Sequence, residues 1–336
     1  MVGRKSLDLT MNTVQYPPSP DMLAAMLAAT ESAHEYPDMR ATELIGTLAA
    51  RLGVPSDRVL VGPGSAALCQ LLVMTVAGPG DEVVYPWPSF EGYPEMVVHA
   101  GATRVAVPLR GHGIDLKELA AAVTERTKAV LLCNPNNPTG TVFSDAELAE
   151  FVAAVPDDVL VIVDEAYREF VTEPGFRDAL AGGPRGLCVL RTFSKAYGLA
   201  GLRVGYLVAS PALVARLKPM MPLFAVGSHA QAAALAALND EFAREVEKRC
   251  AAVAAERDRL VALLRAQGWS LPDGHGNFVW LPVGERSAEL TAFFRERDVL
   301  VRLYPGDGVR ITVTGRETGD LVAGIAADYL LENGVA

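Results

Sequence analysis

Between positions 58 and 210 the chain alternates short apolar runs with longer stretches in which apolar residues recur every three or four positions. The runs are RVLVG (58–62), DEVVYP (81–86), ATRVAVPL (102–109), KAVLLCNP (128–135), VLVIVDEAY (159–167), LCVLRTFS (187–194) and RVGYLVAS (203–210). Helical patterns follow them at 65–76, at 90–99, in LKELAAAV and from near Ser144. The runs are rich in β-branched residues and apolar at successive positions, which suits strands buried on both faces better than half-exposed ones. Strands separated by helices predict an α/β fold with a mainly parallel, seven-stranded central sheet.

The rhythm then changes. FAREVEKRCAAVAAERDRLVALLRAQG (242–268) has the charge and period of a long amphipathic helix. NFVWLPV (277–283), a helical stretch near 286–297, VLVRLYP (299–305) and VRITVT (309–314) follow. They predict a smaller α+β domain. The first 35 residues, with PPSP at 17–20, show no strand–helix rhythm and are expected to pack against that tail. The division is therefore a large domain at 37–240 and a small one at 1–36 plus 241–336.

Composition narrows the function. The 336 residues carry a net charge of −10, and a negative field disfavours nucleic acid and anionic membranes as partners while leaving room for a local basic pocket. No apolar stretch reaches the roughly 18–20 residues of a membrane span. MVGRKSLDLTMN lacks the apolar core of a secretory signal, so a cytoplasmic protein is expected. Cys69, Cys133, Cys188 and Cys250 are widely spaced and read as buried free thiols. The histidines lack metal-ligand spacing, and no metal site is expected.

Four segments carry candidate chemistry. VGPGSAAL (61–68) joins a strand to a helix, where free N–H groups can hold a phosphate. It also fits a dinucleotide fingerprint, but Asp81 and Glu82 precede the second apolar run instead of following it. CNPNNPTG (133–140) makes a tight loop at a strand's carboxyl end, with Asn137 the best donor for an anionic oxygen. VLVIVDEAY puts Asp164 at the end of a buried strand, where a carboxylate needs a cation, a donor or a helix to cap. TFSKAYGLAGLRVGY (192–206) puts Lys195 just past another, flanked by Arg203. Desolvation and a neighbouring cation lower a lysine's pKa and make it nucleophilic toward a carbonyl. Thr192, Ser194 and Arg203 supply hydroxyls and a guanidinium fork for a phosphate. Alone, Lys195 reads as a surface lysine. Together, a phosphate turn, an asparagine, an acid and a lysine in this order are the parts that hold pyridoxal 5′-phosphate.

With NPNNPTG, VDEAY and TFSKAYGLAGLRVG in order, the sequence resembles the fold-type-I pyridoxal-phosphate aminotransferases over nearly its whole length. It is most similar to the histidinol-phosphate aminotransferase family. SFEGYPEMVVHAGAT, GERS and PGDGVRITV resemble that family's actinobacterial aromatic amino-acid (phenylalanine) branch. The resemblance implies that Lys195 bonds to the cofactor and shuttles protons, and that Asp164 pairs with the pyridine N–H. It implies that Asn137 and Tyr167 bond the ring hydroxyl, and that Phe90 stacks on the ring. Ser65, Ala66, Thr192, Ser194 and Arg203 would hold the phosphate. Tyr36 would reach the phosphate in a partner subunit, which implies a homodimer with shared sites. Asn12, Tyr16 and Arg310, with Arg302 as helper, would bind substrate. The Asn137–Pro138 bond is expected to be cis.

Two departures touch the substrate side. NTVQYPP (12–18) keeps Asn12 and Tyr16 of the family's opening string but lacks its acidic residue, and Phe90 stands where a tyrosine is usual. Trp87 and PMMPLFAVGS (219–228) read as pocket wall, core or interface. The expected activity is amino transfer from an aromatic amino acid or histidinol phosphate to 2-oxoglutarate, so the partners are an amino donor and a 2-oxo acid acceptor. The alternatives are a strict histidinol-phosphate aminotransferase of histidine biosynthesis and a decarboxylase or lyase using the same cofactor. A carboxylate-anchoring Arg310 weighs against the last, and intact Lys195 and Asp164 against a non-catalytic protein.

Overall fold

Strand β1, Leu7–Asp8, opens the computed structural model, which describes residues 6–180 and 186–334. The central sheet follows as β2 (Val59–Gly62), β3 (Glu82–Trp87), β4 (Thr103–Pro108), β5 (Thr127–Cys133), β6 (Leu160–Asp164), β7 (Leu187–Thr192) and β8 (Gly205–Val208). Their order is β2-β8-β7-β6-β5-β3-β4. Only β8 runs against its neighbours, so the other six strands end at one common edge. The mainly parallel seven-stranded sheet that the apolar runs predict is present. In β6 and β7 every residue except Leu160 is buried, as strands covered on both faces require.

β4 departs from that pattern. It is the sheet's edge, and Val105 and Val107 turn toward the core while Thr103, Arg104, Ala106 and Pro108 stay exposed. An edge strand needs only one covered face, and a charge and a proline blunt its open side.

The C-terminal part contains β9 (Phe278–Leu281), β10 (Val299–Leu300), β11 (Arg302–Tyr304) and β12 (Gly308–Thr312). β11, β12 and β9 form an antiparallel sheet in that order. The run 299–305 is thus split at Val301, because β10 pairs with β1 instead. Leu7 N–H donates to Asp298 O at 2.8 Å and Leu9 N–H to Leu300 O at 2.8 Å. The N-terminal arm also holds a helix, Pro20–Glu31, that its sequence rhythm does not announce. Its start signal is local: Ser19 Oγ accepts from Met22 N–H at 3.3 Å, and Pro20 occupies the first helical position.

One apolar cluster ties these parts together. It includes Tyr167 and Phe193 beside the sheet, Val246 and Val253 of the helix Asp240–Ala266, and Phe278 and Val299 beyond it. Arg257, on that helix, is fully buried and donates to Phe170 O (3.1 Å), Gly276 O (3.2 Å) and Thr172 Oγ1 (2.9 Å). It fastens the segment after β6 to the segment entering β9. All four cysteines are free and buried. Among the described residues no helix is long and apolar enough to cross a membrane.

Candidate active site

The common edge of the parallel strands is where an open α/β sheet places its ligands, because loops leave there with backbone groups still unpaired. After β2 the chain turns through Gly64, at φ +92°, into the helix Ser65–Val76. No side chain caps that helix and no acid lies in its first turn, so the N–H groups at its start are open to an anion. A Cβ on Gly64 would lie 2.6 Å from Arg203 Nη2, and one on Gly205 would lie 2.6 Å from Ser65 N. Both glycines therefore keep open a cradle that a methyl group would fill. Arg203 reaches it from a left-handed backbone (φ +53°), with Nη1 donating to Ala200 O at 2.8 Å and to Ser194 Oγ at 3.5 Å. Thr192, which pairs with Gly205 across the sheet, accepts from Ser194 N–H at 3.0 Å. Ser65, Thr192, Ser194 and Arg203 are brought together here, with Ala66 in the same helical turn.

The neighbouring loops carry the titratable groups. Asp164, the last residue of β6, is buried, and the Ala166 N–H donates to its Oδ1 at 3.1 Å. Burial pushes its carboxyl up to about 7, against the pull of that N–H and of the Lys195 charge. Lys195 Nζ donates to Met11 O at 3.0 Å and lies 5.6 Å from the Tyr167 ring centre. Its pKa falls to about 8, first through desolvation and then through Arg310, with Asp164 opposing and Arg203 adding a smaller push. The expected depression is present, although Arg310 outweighs the Arg203 named from the sequence. Burial raises the Tyr167 hydroxyl well above the ordinary phenol value.

Across the cleft, β12 contributes Arg310, buried, with Nη1 donating to Asn137 Oδ1 and Nη2 to Thr10 O. Its Nε has no partner, and no carboxylate pairs with it among the described residues. Tyr304 OH also donates to Asn137 Oδ1, at 3.3 Å. The Asn137–Pro138 peptide is cis.

Five other expected site residues have protein partners around them. Asn12 is fully buried at φ +53°, and its Nδ2 donates to Tyr167 OH at 3.1 Å. Thr312 Oγ1 and Asn277 Nδ2 fix the Asn12 backbone at 3.0 Å each, so Asn12 supports Tyr167 from behind. Tyr16 stacks under Arg249, 5.0 Å from ring centre to guanidinium carbon. Tyr36 is 83% exposed and stacks on Phe224 at 4.6 Å. Phe90 is half-buried, edge-on to Tyr93 at 5.5 Å. Arg302 is held by Glu91. Sequence reasoning missed Glu91, Tyr304, Asn277 and Thr312. Only Tyr304 left a signal, alternating with Arg302 on one strand face.

The sequence model of the family "aminotransferase class I and II" matches residues 4–323. The aromatic amino acid aminotransferase of Streptomyces avermitilis is 45% identical over 322 residues, covering 95% of this chain and 89% of that protein. The aromatic amino acid aminotransferase of Thermobifida fusca is 44% identical and covers 98% and 92%. The chain belongs to the class I and II aminotransferases. Among solved structures, the histidinol-phosphate aminotransferase of Sinorhizobium meliloti in complex with pyridoxal 5′-phosphate superposes with a TM-score of 0.89 at 26% identity, covering 98% and 92%.

This aminotransferase is pyridoxal-phosphate dependent, and its residues fit the cofactor. The glycine-walled cradle suits a dianionic phosphate, and Asp164 is a buried acid short of donors that can pair with a ring N–H. Lys195, with its lowered pKa, can bond to an aldehyde near neutral pH. Bound there, pyridoxal phosphate supplies that aldehyde and a ring that takes up the electron pair left on the substrate's α-carbon.

Proposed function

We infer that this aminotransferase moves the amino group of an aromatic amino acid to 2-oxoglutarate, with Lys195 Nζ carrying the proton between the substrate's α-carbon and the cofactor. The observation that carries the reading is Arg310: a buried guanidinium with an unpartnered Nε and, among the described residues, no carboxylate of its own. It is suited to grip a substrate α-carboxylate, which favours transamination over decarboxylation or lyase chemistry. In this reading Asp164 holds the ring nitrogen protonated, Asn137 and Tyr167 bond the ring hydroxyl, and Phe90 covers the ring face. Ser65, Ala66, Thr192, Ser194 and Arg203 bind the phosphate. Asn12 acts through Tyr167.

The aromatic side of the reading is supported by the names of relatives at 43–46% identity and by Trp280 and Tyr304, which pack edge-on at 5.4 Å beside Arg310. The division at 37–240 belongs to the same proposal. So does a homodimer: Leu23, Leu27, Tyr36, Met39 and Leu223 are large apolar side chains left exposed. Tyr36, stacked on Phe224, is then available to the partner's phosphate cradle. A net charge of −10 supports the absence of nucleic-acid and anionic-membrane partners.

A single-turnover panel tests the substrate. The cofactor-loaded protein is mixed with phenylalanine, tyrosine, histidinol phosphate, aspartate and alanine, and the cofactor's visible band is followed. Bleaching by phenylalanine and tyrosine is expected. Bleaching by histidinol phosphate alone would replace this reading with the histidinol-phosphate one.

A further inference from the structure

Arg302 on β11 and Arg310 on β12 are direct partners across the antiparallel ladder. That register puts both side chains on one face of the sheet with Cβ atoms about 5 Å apart. Two guanidiniums so placed repel, yet only one of them is neutralised. Arg310 meets no carboxylate among the described residues, whereas Arg302 is gripped from two sides by Glu91. Nε donates to Oε2 at 2.8 Å, and Nη2 donates to Oε1. Glu91 stands 211 positions away in the chain, directly after Phe90 and across the cleft. The side chains of Arg302 and Glu91 are 39% and 37% exposed, so water can take the place of either partner.

We propose that Glu91 is a specificity-determining residue, an internal carboxylate that occupies Arg302 while the substrate side chain is uncharged and yields it to the distal carboxylate of a dicarboxylic substrate. This rests on the reading that one pocket receives an aromatic amino acid and a 2-oxo dicarboxylic acid in turn. An unpaired guanidinium would have to be desolvated against an aromatic side chain, at a cost that the Glu91 fork offsets. A dicarboxylic acid brings its own fork partner, and the displaced Glu91 carboxylate turns to water, where its charge is well solvated. The α-carboxylate stays on Arg310 in both cases. The neighbouring guanidinium is then free for the second carboxylate alone, and Glu91 sets how strongly such acids are favoured.

The test compares wild type, Glu91→Gln and Arg302→Gln, each loaded with cofactor. Equilibrium binding of two unreactive acids, glutarate and 3-phenylpropionate, is read from the cofactor's absorbance, and each half-reaction is timed separately. Glu91→Gln is expected to bind glutarate about fivefold more tightly, the scale of an exposed ion pair, and to bind 3-phenylpropionate more weakly, because the Arg302 charge then faces the aromatic ring without its carboxylate. Arg302→Gln is expected to weaken glutarate about tenfold more than 3-phenylpropionate. The half-reactions with 2-oxoglutarate and phenylalanine should split the same way. An unchanged glutarate-to-phenylpropionate ratio in Glu91→Gln, or equal loss of both acids, overturns the proposal. Failure of the aromatic reading looks different. Wild type would then neither bind 3-phenylpropionate nor bleach with phenylalanine, and the glutarate comparison would still judge Glu91.

Discussion

Replacing Asp164 by asparagine should make the cofactor-free protein more stable and the cofactor more weakly held. Burial raises this carboxyl from the ordinary 3.8 to about 7. That is about three units at ~1.4 kcal/mol each, so keeping the group ionised at pH 8 opposes folding by at most ~4 kcal/mol. Asparagine removes the charge and keeps an oxygen for the Ala166 N–H, but its own N–H2 is left short of an acceptor at about 1–3 kcal/mol. A net gain of about 1–3 kcal/mol at pH 8 remains. The sign follows from proton uptake. With a raised folded-state pKa, the folded wild type holds more protons than the unfolded chain between pH 3.8 and about 7, so its stability falls as pH climbs through that window. The stability of the asparagine variant relative to wild type should therefore rise from pH 5 to pH 8 and turn into a deficit near pH 4, where only the unpaired N–H2 counts. Urea unfolding of cofactor-stripped protein across this range measures it, and titration with pyridoxal phosphate should show affinity weakened about tenfold or more. Parallel pH profiles for the two proteins, or equally tight cofactor binding, would refute the reasoning.

Three further substitutions address separate parts of the site. Lys195→Ala should still bind the cofactor non-covalently, while the phenylalanine half-reaction, followed by stopped-flow absorbance, slows by about 10²–10⁴-fold through loss of the proton carrier. Gly64→Ala adds a methyl 2.6 Å from Arg203 Nη2 on a backbone at φ +92°. It should displace the guanidinium and weaken cofactor binding about tenfold by equilibrium dialysis, the effect expected of ~1–3 kcal/mol of strain. Arg257→Met leaves Phe170 O and Gly276 O without their buried donor. It should cost about 3 kcal/mol of stability, read as a lower urea midpoint.

The residues proposed to hold the cofactor could be grouped from the sequence because their chemistry is local. Asp164, Asn137 and Lys195 each sit within a few residues of a strand's carboxyl end, and strand periodicity alone puts them at one edge. Gly64 and Gly205 flank the same edge, where the backbone must approach closely. On the substrate side Arg310 and Arg302 were named only through the resemblance, and the contacts around them were not legible, because they join distant segments. Glu91 and Arg302 are separated by 211 positions, and no helical or strand period links them. Asn12 carried a family role at the substrate, but its left-handed backbone and the bonds from Thr312 and Asn277 turn it toward Tyr167. β1 and β10 are too short to show a period, and each exists because the other supplies its hydrogen bonds. The helix Pro20–Glu31 escaped notice because its alanines blur the periodicity, although Ser19 and Pro20 mark its start.

Reduction of the cofactor-loaded enzyme with borohydride, followed by peptide mapping, tests the assignment most directly. The account predicts a single phosphopyridoxyl label on Lys195, in the peptide containing TFSKAYGLAGLR. A label on another lysine, with Lys195 recovered unmodified, would contradict it.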